Sequence, residues 1–426
     1  MEAYLAMFTP LDIAIHALMF VSLYFEVFLL LTFLEKRPDK ALAPRTPSRF
    51  PSVLVTVPCF NAGMKLDRTI RSLMALSYPK DKLSVLIVDD GSTDNSFAIM
   101  ESLQREFPSL QLYQAPENAG KHAALNYGIG HSTAELIGCL DADTFVAPDA
   151  LEAIVAVFES TGAHAVIPAI KVHEPGTILA RMQRAEYMLS IFVRKIFTFL
   201  DSNFVTPGPF SFFRREVFDQ IGVYQHAHNT EDMEMAMRMQ VHNLKIANAE
   251  HAHVYTIVPS KLRDLIRQRV RWTYGFLRNF VDYRSKLVFR PQYGTIAMFI
   301  LPVAFFSIFS ALTLTTIALG SSIAAAAEHY DRIRTVGFST PSLTLDWFFM
   351  NTSSMVILMV VIISITLFLM SVGRALSGER LAPTTDMAIY VLLYGLVAPL
   401  WLAKAVYSAA LARPVSWSAE ISRRRD

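Results

Sequence analysis

The sequence predicts an α/β domain, built on a mostly parallel sheet covered on both faces and flanked by membrane-spanning helices. Three observations carry this. Short β-rich apolar runs alternate with amphipathic helical runs between Phe50 and about Thr256. Apolar stretches long enough to cross a bilayer lie on both sides of that region. The 426 residues are 53% hydrophobic with a mean hydropathy of +0.34, too apolar for an ordinary soluble protein, and 18% charged, too charged for one embedded throughout.

The first apolar run, Ile13–Phe33, is interrupted only by His16 and Glu26. At 1.5 Å per helical residue it crosses a hydrocarbon core of ~30 Å. Similar runs occupy Thr295–Leu319, Ser354–Val372 and Met387–Leu411. Soluble core helices rarely extend so far without a polar face. No small-residue cleavage site precedes Glu35-Lys-Arg-Pro, so the first run reads as an anchor and not a cleaved signal. Lys36, Arg37, Lys40, Arg45 and Arg49 follow it and no Lys or Arg precedes it. The positive-inside rule therefore places the middle region in the cytoplasm, at the cell inner membrane. Three C-terminal spans would put Arg423, Arg424 and Arg425 on the opposite side, against that rule, and Gly395 and Pro399 can bend the last run. The parity of that end stays open, as does the oligomeric state. A net charge of +2 suggests neither nucleic-acid binding nor an acidic tail. Cys59 and Cys139 read as buried free thiols in a reducing compartment.

Within the middle region Val53–Val57, Leu83–Asp89, Leu110–Gln114 and Leu136–Leu140 read as strands, with Leu66–Leu76 and Phe97–Phe107 as helices and Pro38–Ser52 as a linker. Ligands in such folds bind beyond the carboxyl ends of the strands, and the polar clusters sit there. Asp89 and Asp90 close the second strand; Gly91 permits a tight turn and Ser92, Thr93 or Asp94 can cap the next helix. Lys121 stands at the mouth of a helix, placed either to meet a diphosphate or to point into water. Asp141 and Asp143 follow an apolar strand two residues apart and can project to one side. Two such carboxylates repel unless a proton or cation joins them, and hard oxygen donors suit Mg2+ or Mn2+. Asp149 reads as a helix cap. Gly208 allows close backbone approach, Arg214 and Arg215 fit packing or surface roles, and Thr206-Pro207 has no reading. Thr230-Glu231-Asp232 opens the helical stretch Met233–Gln240, where Thr230 can cap and two acids suit the dipole. Gln268-Arg269-Val-Arg271-Trp272 lies in the helical segment Lys261–Phe280, whose arginines can snorkel at a membrane face. The pairs His226/His228 and His251/His253 lack further ligands at matching spacing and are assigned no metal.

Val-Asp-Asp-Gly-Ser at Val88–Ser92, Asp141-Ala-Asp143, Thr230-Glu231-Asp232 and Gln268-Arg-Val-Arg271-Trp272, in this order, resemble the membrane-embedded branch of glycosyltransferase family 2. That branch includes cellulose, chitin, hyaluronan and poly-N-acetylglucosamine synthases. The resemblance implies a Rossmann-like GT-A domain at 50–258, between a transmembrane helix at 1–37 and interfacial helices at 259–292. A membrane region at 293–412 and a basic tail at 413–426 complete the chain. It implies an inverting, metal-dependent transfer of a hexose or N-acetylhexosamine from a UDP-sugar to a growing polysaccharide, with coupled export. It further implies that Pro58, Asn61, Asp89, Asp90, Lys121, Asp141, Arg269 and Arg271 hold the nucleotide sugar and that Asp141 and Asp143 hold the metal. Asp232, beside Glu231, would be the general base. Trp272, Gln268 and Gly208 would line the acceptor, with Tyr274 and Phe276 extending the aromatic wall. The alternatives are transfer of a single sugar to a membrane lipid, as by ceramide glucosyltransferase, and an inactive binding protein.

Overall fold

The computed structural model describes residues 9–36, 46–336, 354–380 and 384–413. Helix α1 (Pro10–Glu35) begins at a capping box, in which Thr9 Oγ1 accepts from Asp12 N and the Asp12 carboxylate accepts from Thr9 N. The Val/Ile/Leu-rich runs that follow lack polar alternation and need cover on both faces. They form β1 (Val53–Cys59), β2 (Leu83–Asp89), β3 (Leu110–Gln114) and β4 (Leu136–Cys139), parallel in the order β3-β2-β1-β4. Successive β1 side chains enter opposite layers. Val53, Val55 and Val57 pack with Leu66, Ile70 and Leu73 of α2 (Lys65–Met74) and Met100 of α3 (Ser96–Glu106). Leu54 packs with Ala124 of α4 (Lys121–Gly130) on the other side.

Beyond β4 the sheet turns mixed. It continues β7 (Phe212–Arg214), β6 (Ala165–Val172), β8 (Ile246–Thr256), β5 (Thr144–Val146); β7 runs antiparallel to both neighbours and β8 parallel to β6. The expected parallel sheet therefore covers the first half, and the second half carries antiparallel strands that the sequence reading did not specify. Between them lie α5 (Ala150–Thr161), α6 (Ile178–Phe199), α7 (Arg215–Ile221) and α8 (Glu231–Val241), followed by α9 (Leu262–Tyr283). Three membrane-type helices end the described chain: α10 (Leu301–Val336), entered by a π turn at Ile296–Ile300, then α11 (Ser354–Leu376) and α12 (Thr385–Ala410).

Among the described residues four stretches are long and apolar enough to cross a membrane: Leu11–Glu35, Ile296–Thr335, Ser354–Leu376 and Thr385–Ala410. The second continues well past the expected end at Leu319, where the Ala324–Ala327 run, of the best helix former, carries the helix on into polar residues. Arg37, Lys40, Arg45 and the basic tail lie outside the described residues, so the orientation expectation rests on the sequence.

Two expected caps are corrected. Asp149 and Thr230 both occupy N-cap positions, but neither side chain bonds its helix. Thr230 Oγ1 instead donates to Ala227 O and accepts from Asn279 Nδ2 of α9, which draws it out of cap geometry.

Helix α6 joins the sheet to the membrane helices. Its Phe192 and Ile196 pack with Leu29 of α1 and Leu369 and Val372 of α11. Gly373 of α11 lies so close that a Cβ there would meet Met188 O at 2.0 Å. At its start Arg181 Nε donates to Asp386 Oδ1 of α12 at 2.7 Å, and Arg184 contacts the other oxygen of the same fully buried carboxylate.

Candidate active site

The carboxyl ends of β1, β2 and β4 converge with the start of α8 and the middle of α9. The β1 and β2 ends are laced together: Asn61 Oδ1 accepts from Thr93 N at 2.8 Å and Asn61 N donates to Ser92 Oγ at 3.0 Å. Asn61 adopts a left-handed φ of 50°, which asparagine tolerates better than most residues. Pro58 is half-buried at the end of the β1 strand. Asp89 is fully buried, with one oxygen accepting from Ser92 N and the other from Gln114 Nε2, so it builds the turn and does not face the site. Asp90 accepts from Ala119 N and Gly120 N, both at 2.9 Å, and so fixes the loop that presents Lys121. Burial nonetheless holds its pKa above the usual carboxylate range.

Lys121 is the hub. Its Nζ lies 2.6 Å from Asp141 Oδ1 and 3.4 Å from Glu231 Oε1, spanning the strand end and the first turn of α8. Burial opposes its charge, but Asp141 and Glu231 outweigh this and raise its pKa. Gly208 closes over the pair; a Cβ there would stand 2.4 Å from Lys121 Nζ and 2.9 Å from Asp141 Oδ1. Cys139, behind them, donates from Sγ to Gly208 O at 3.1 Å, and burial pushes its thiol up to about 12. Asp143 has no strong partner, with Thr144 Oγ1 at 3.5 Å. Burial and then the Asp141 charge raise its pKa.

Asp232 opens α8 beside this hub. Its backbone carbonyl accepts from Thr206 Oγ1 at 2.8 Å, which gives Thr206-Pro207 the role the sequence did not reveal. Its carboxyl pKa is pushed up to about 6 by burial first and by Glu231 second, against Lys121 and Arg271. The residues before it, Ala227, His228 and Asn229, all have left-handed φ (39°, 56° and 61°), a strained turn. Helix α9 holds that turn: Arg271 Nη1 donates to Asn229 O at 3.0 Å, and Asp282 meets His228 Nε2 at 2.8 Å. Gly275 permits this approach, since a Cβ there would lie 2.3 Å from the Thr230 side chain.

The helical motif splits. Arg271 and Trp272 are half-buried, while Arg269 is buried and donates to Glu186 of α6 at 2.8 Å, its guanidinium 4.2 Å from the centre of the Trp272 ring. Arg269 is thus held by α6 and the indole, away from Lys121. Gln268 is half-buried one turn from Trp272. Tyr274 and Phe276 are buried, Phe276 among Met233, Met237 and Phe280, so they are core residues and no aromatic wall. Arg214 packs through its Nε on Ala163 O at 2.8 Å. Sequence reasoning missed Glu186, Tyr187 and Arg194 of α6; their only signal is polar residues recurring on one face of an otherwise apolar helix. Two cavities, of about 450 and 340 Å3, lie away from this constellation, beside Arg214–Glu216 and beside His251 and His253.

Comparison with known proteins agrees with this architecture. The glycosyl transferase family 2 model matches residues 54–222. A beta-monoglucosyldiacylglycerol synthase from Synechocystis sp. is 28% identical over 262 residues, 61% of this chain and 54% of that protein. A poly-beta-1,6-N-acetyl-D-glucosamine synthase from Staphylococcus aureus is 28% identical over 257 residues, 58% of this chain and 60% of that protein. The chain thus matches 54–60% of the length of these relatives. Among solved structures, a mannosyltransferase from Pyrobaculum calidifontis in complex with GDP-Man and Mn2+ superimposes with a TM-score of 0.65 at 19% identity, covering 94% of this chain and 98% of that one. The matched fold is a GT-A-like mixed sheet, with candidate membrane helices on both sides of it. Residues 54–222 therefore carry a domain of the glycosyl transferase family 2 type, on a GT-A-like fold.

Proposed function

We propose that this protein is a glycosyltransferase that moves a hexose or N-acetylhexosamine from a UDP-sugar, with inversion, to a hydroxyl of a growing polysaccharide, with coupled export. The catalytic domain then faces the cytoplasm at the inner membrane. One observation carries the reading: Lys121 joins Asp141, at the strand end, to Glu231, next to Asp232. A diphosphate pole and a proton acceptor thus flank one space. The carboxylate of Asp232 takes the proton of the acceptor hydroxyl as its oxygen attacks the anomeric carbon, and the bond to the nucleoside diphosphate breaks. Trp272 stacks beneath the acceptor ring, and Arg271 holds the turn that carries Asp232.

Asp141 and Asp143 fit a divalent cation. Among the described residues no three His, Cys, Asp or Glu side chains converge on a point. Mg2+ and Mn2+ sites that also bind nucleotides need only one or two carboxylates, with phosphates and water completing the shell. Asp143, half-buried with only Thr144 Oγ1 at 3.5 Å, is the group such an ion would satisfy. Bound there, the cation would supply positive charge against the departing diphosphate. Lys121 would then be released from Asp141 toward the same phosphates.

Membranes containing the protein, assayed against a panel of UDP-sugars with the product sized, test the reading. Radiolabelled polymer is the expected result, and no turnover of any UDP-sugar refutes it. A lipid bearing one sugar would instead support single transfer, the reading that the Synechocystis relative favours.

A further inference from the structure

Helix α6 has one apolar face against the membrane helices and one polar face toward the site. Gln183 and Glu186 fix the direction of the second: Gln183 Nε2 donates to Pro259 O, just before α9, and Glu186 pairs with Arg269 within α9. Tyr187, Ser190 and Arg194 continue the same stripe and are all partly accessible, while Met188, Phe192 and Ile196 are buried behind them. Tyr187 and Arg194, seven residues apart, stand about 10 Å from each other along the axis.

Arg194 is half-buried on this face, and the Asp232 and Tyr187 side chains are the charged or ionisable groups within electrostatic range of it. Among the described residues nothing accepts a hydrogen bond from it or pairs with it. The nearby acids are engaged elsewhere: Glu186 by Arg269, Glu250 by Lys195 at 2.6 Å, and Glu231 by Lys121. A half-buried guanidinium that no protein anion engages is open to an anion brought by a ligand. The planar fork of guanidinium donors suits phosphate oxygens above other anions. Tyr187, within electrostatic range of both Asp143 and Arg194, extends this face toward the Asp141-Asp143 end.

We propose that Arg194, with Tyr187 beside it, is a phosphate-binding subsite on the Asp232 side of the active site. It deepens the proposed function and rests on that reading. The phosphate is either the diphosphate of the donor, swung toward the base on departure, or a phosphate carried by the membrane acceptor. Both sources present the same oxyanion, and experiment separates them.

Purified full-length protein in detergent is compared as wild type, Arg194→Gln and Arg194→Lys. UDP binding with Mn2+ is measured by calorimetry, and UDP-sugar hydrolysis and transfer to acceptor are measured in parallel. The glutamine variant is expected to lose at least tenfold in one of these, and the lysine variant, which keeps the charge, to recover much of it. Weaker UDP binding assigns the subsite to the donor. Unchanged UDP binding and hydrolysis with reduced transfer assign it to an acceptor phosphate. Unchanged binding and transfer in protein of unaltered melting temperature overturn the proposal, as does uniform loss with lowered melting in both variants. A wild-type protein that binds no UDP and turns over no UDP-sugar defeats the broader reading instead.

Discussion

Replacing Asp232 with Asn separates chemistry from stability in opposite directions. The carboxyl, driven up to about 6 by burial and by Glu231, holds its proton more tightly folded than unfolded. Between the ordinary carboxylate value and that pH the folded state binds more protons, so its stability falls as pH rises through the window. Above it the folded chain bears the full cost of an ionised, crowded carboxylate. A shift of about two units corresponds to about 3 kcal/mol, and because Glu231 shares the repulsion the single substitution should recover about 1–3 kcal/mol. Asn keeps the shape and the bond from Met233 N but carries no charge. The Asn variant should therefore melt a few degrees higher than wild type near pH 8 and at the same temperature near pH 4, while transfer is abolished and UDP binding persists. Wild-type transfer should fall about tenfold per pH unit below about 6, as the base protonates. Thermal unfolding monitored by tryptophan fluorescence and UDP release across pH provide both readouts. A variant that retains transfer within tenfold, a barrier change of under ~1.4 kcal/mol, refutes the assignment of the base. A variant that melts lower at high pH refutes the account of its pKa.

Chelation should abolish activity, and Asp143→Ala should weaken UDP binding only when Mn2+ is present; full activity of a metal-stripped preparation would remove that site. Gly208→Ala, whose Cβ falls 2.4 Å from Lys121 Nζ, should cost at least tenfold in turnover with little change in melting, measured on the same samples. Trp272→Ala should suppress transfer far more than slow hydrolysis of UDP-sugar, since water needs no stacking platform; equal losses with less protein in the membrane would mark it as an anchor. Glu186→Gln leaves Arg269 buried without its partner and should lower stability by about 3–5 kcal/mol, seen as a fall in melting temperature.

The parallel half of the sheet was legible because both its faces are buried, so apolar runs with turn residues at their ends leave little choice of element. Leu83–Asp89 and Leu110–Gln114 fall where the residues put them. The antiparallel half was not, since β5 and β7 are three residues each and are set by partners far away in the chain. Asp141, Asp143, Lys121, Glu231 and Asp232 were legible as a group, as charges at strand and helix ends. Their mutual distances were not. Asp89 and Arg269 show the limit: a motif names a residue type at a spacing, while the hydrogen bonds to Ser92 and Gln114, and the ion pair with Glu186, arise from tertiary packing. Glu186, Tyr187 and Arg194 were hidden because the sequence reading assigned nothing to Ile178–Phe199, and polar residues spaced along a helix give no sign of what they meet.

The docking of α6 sets a boundary that sequence segmentation would misplace. A fragment cut at 50 and 258 for soluble expression would retain α6 but lose α1 and α11, against which Phe192 and Ile196 are packed with no exposure to solvent, and α12 with them. It would also strip Asp386 from Arg181 and Arg184, leaving two cations facing an apolar surface. Such a fragment should aggregate or demand detergent despite containing every strand of the sheet. The unit that can be handled in isolation is the sheet domain together with its membrane-type helices, because one helix belongs to both.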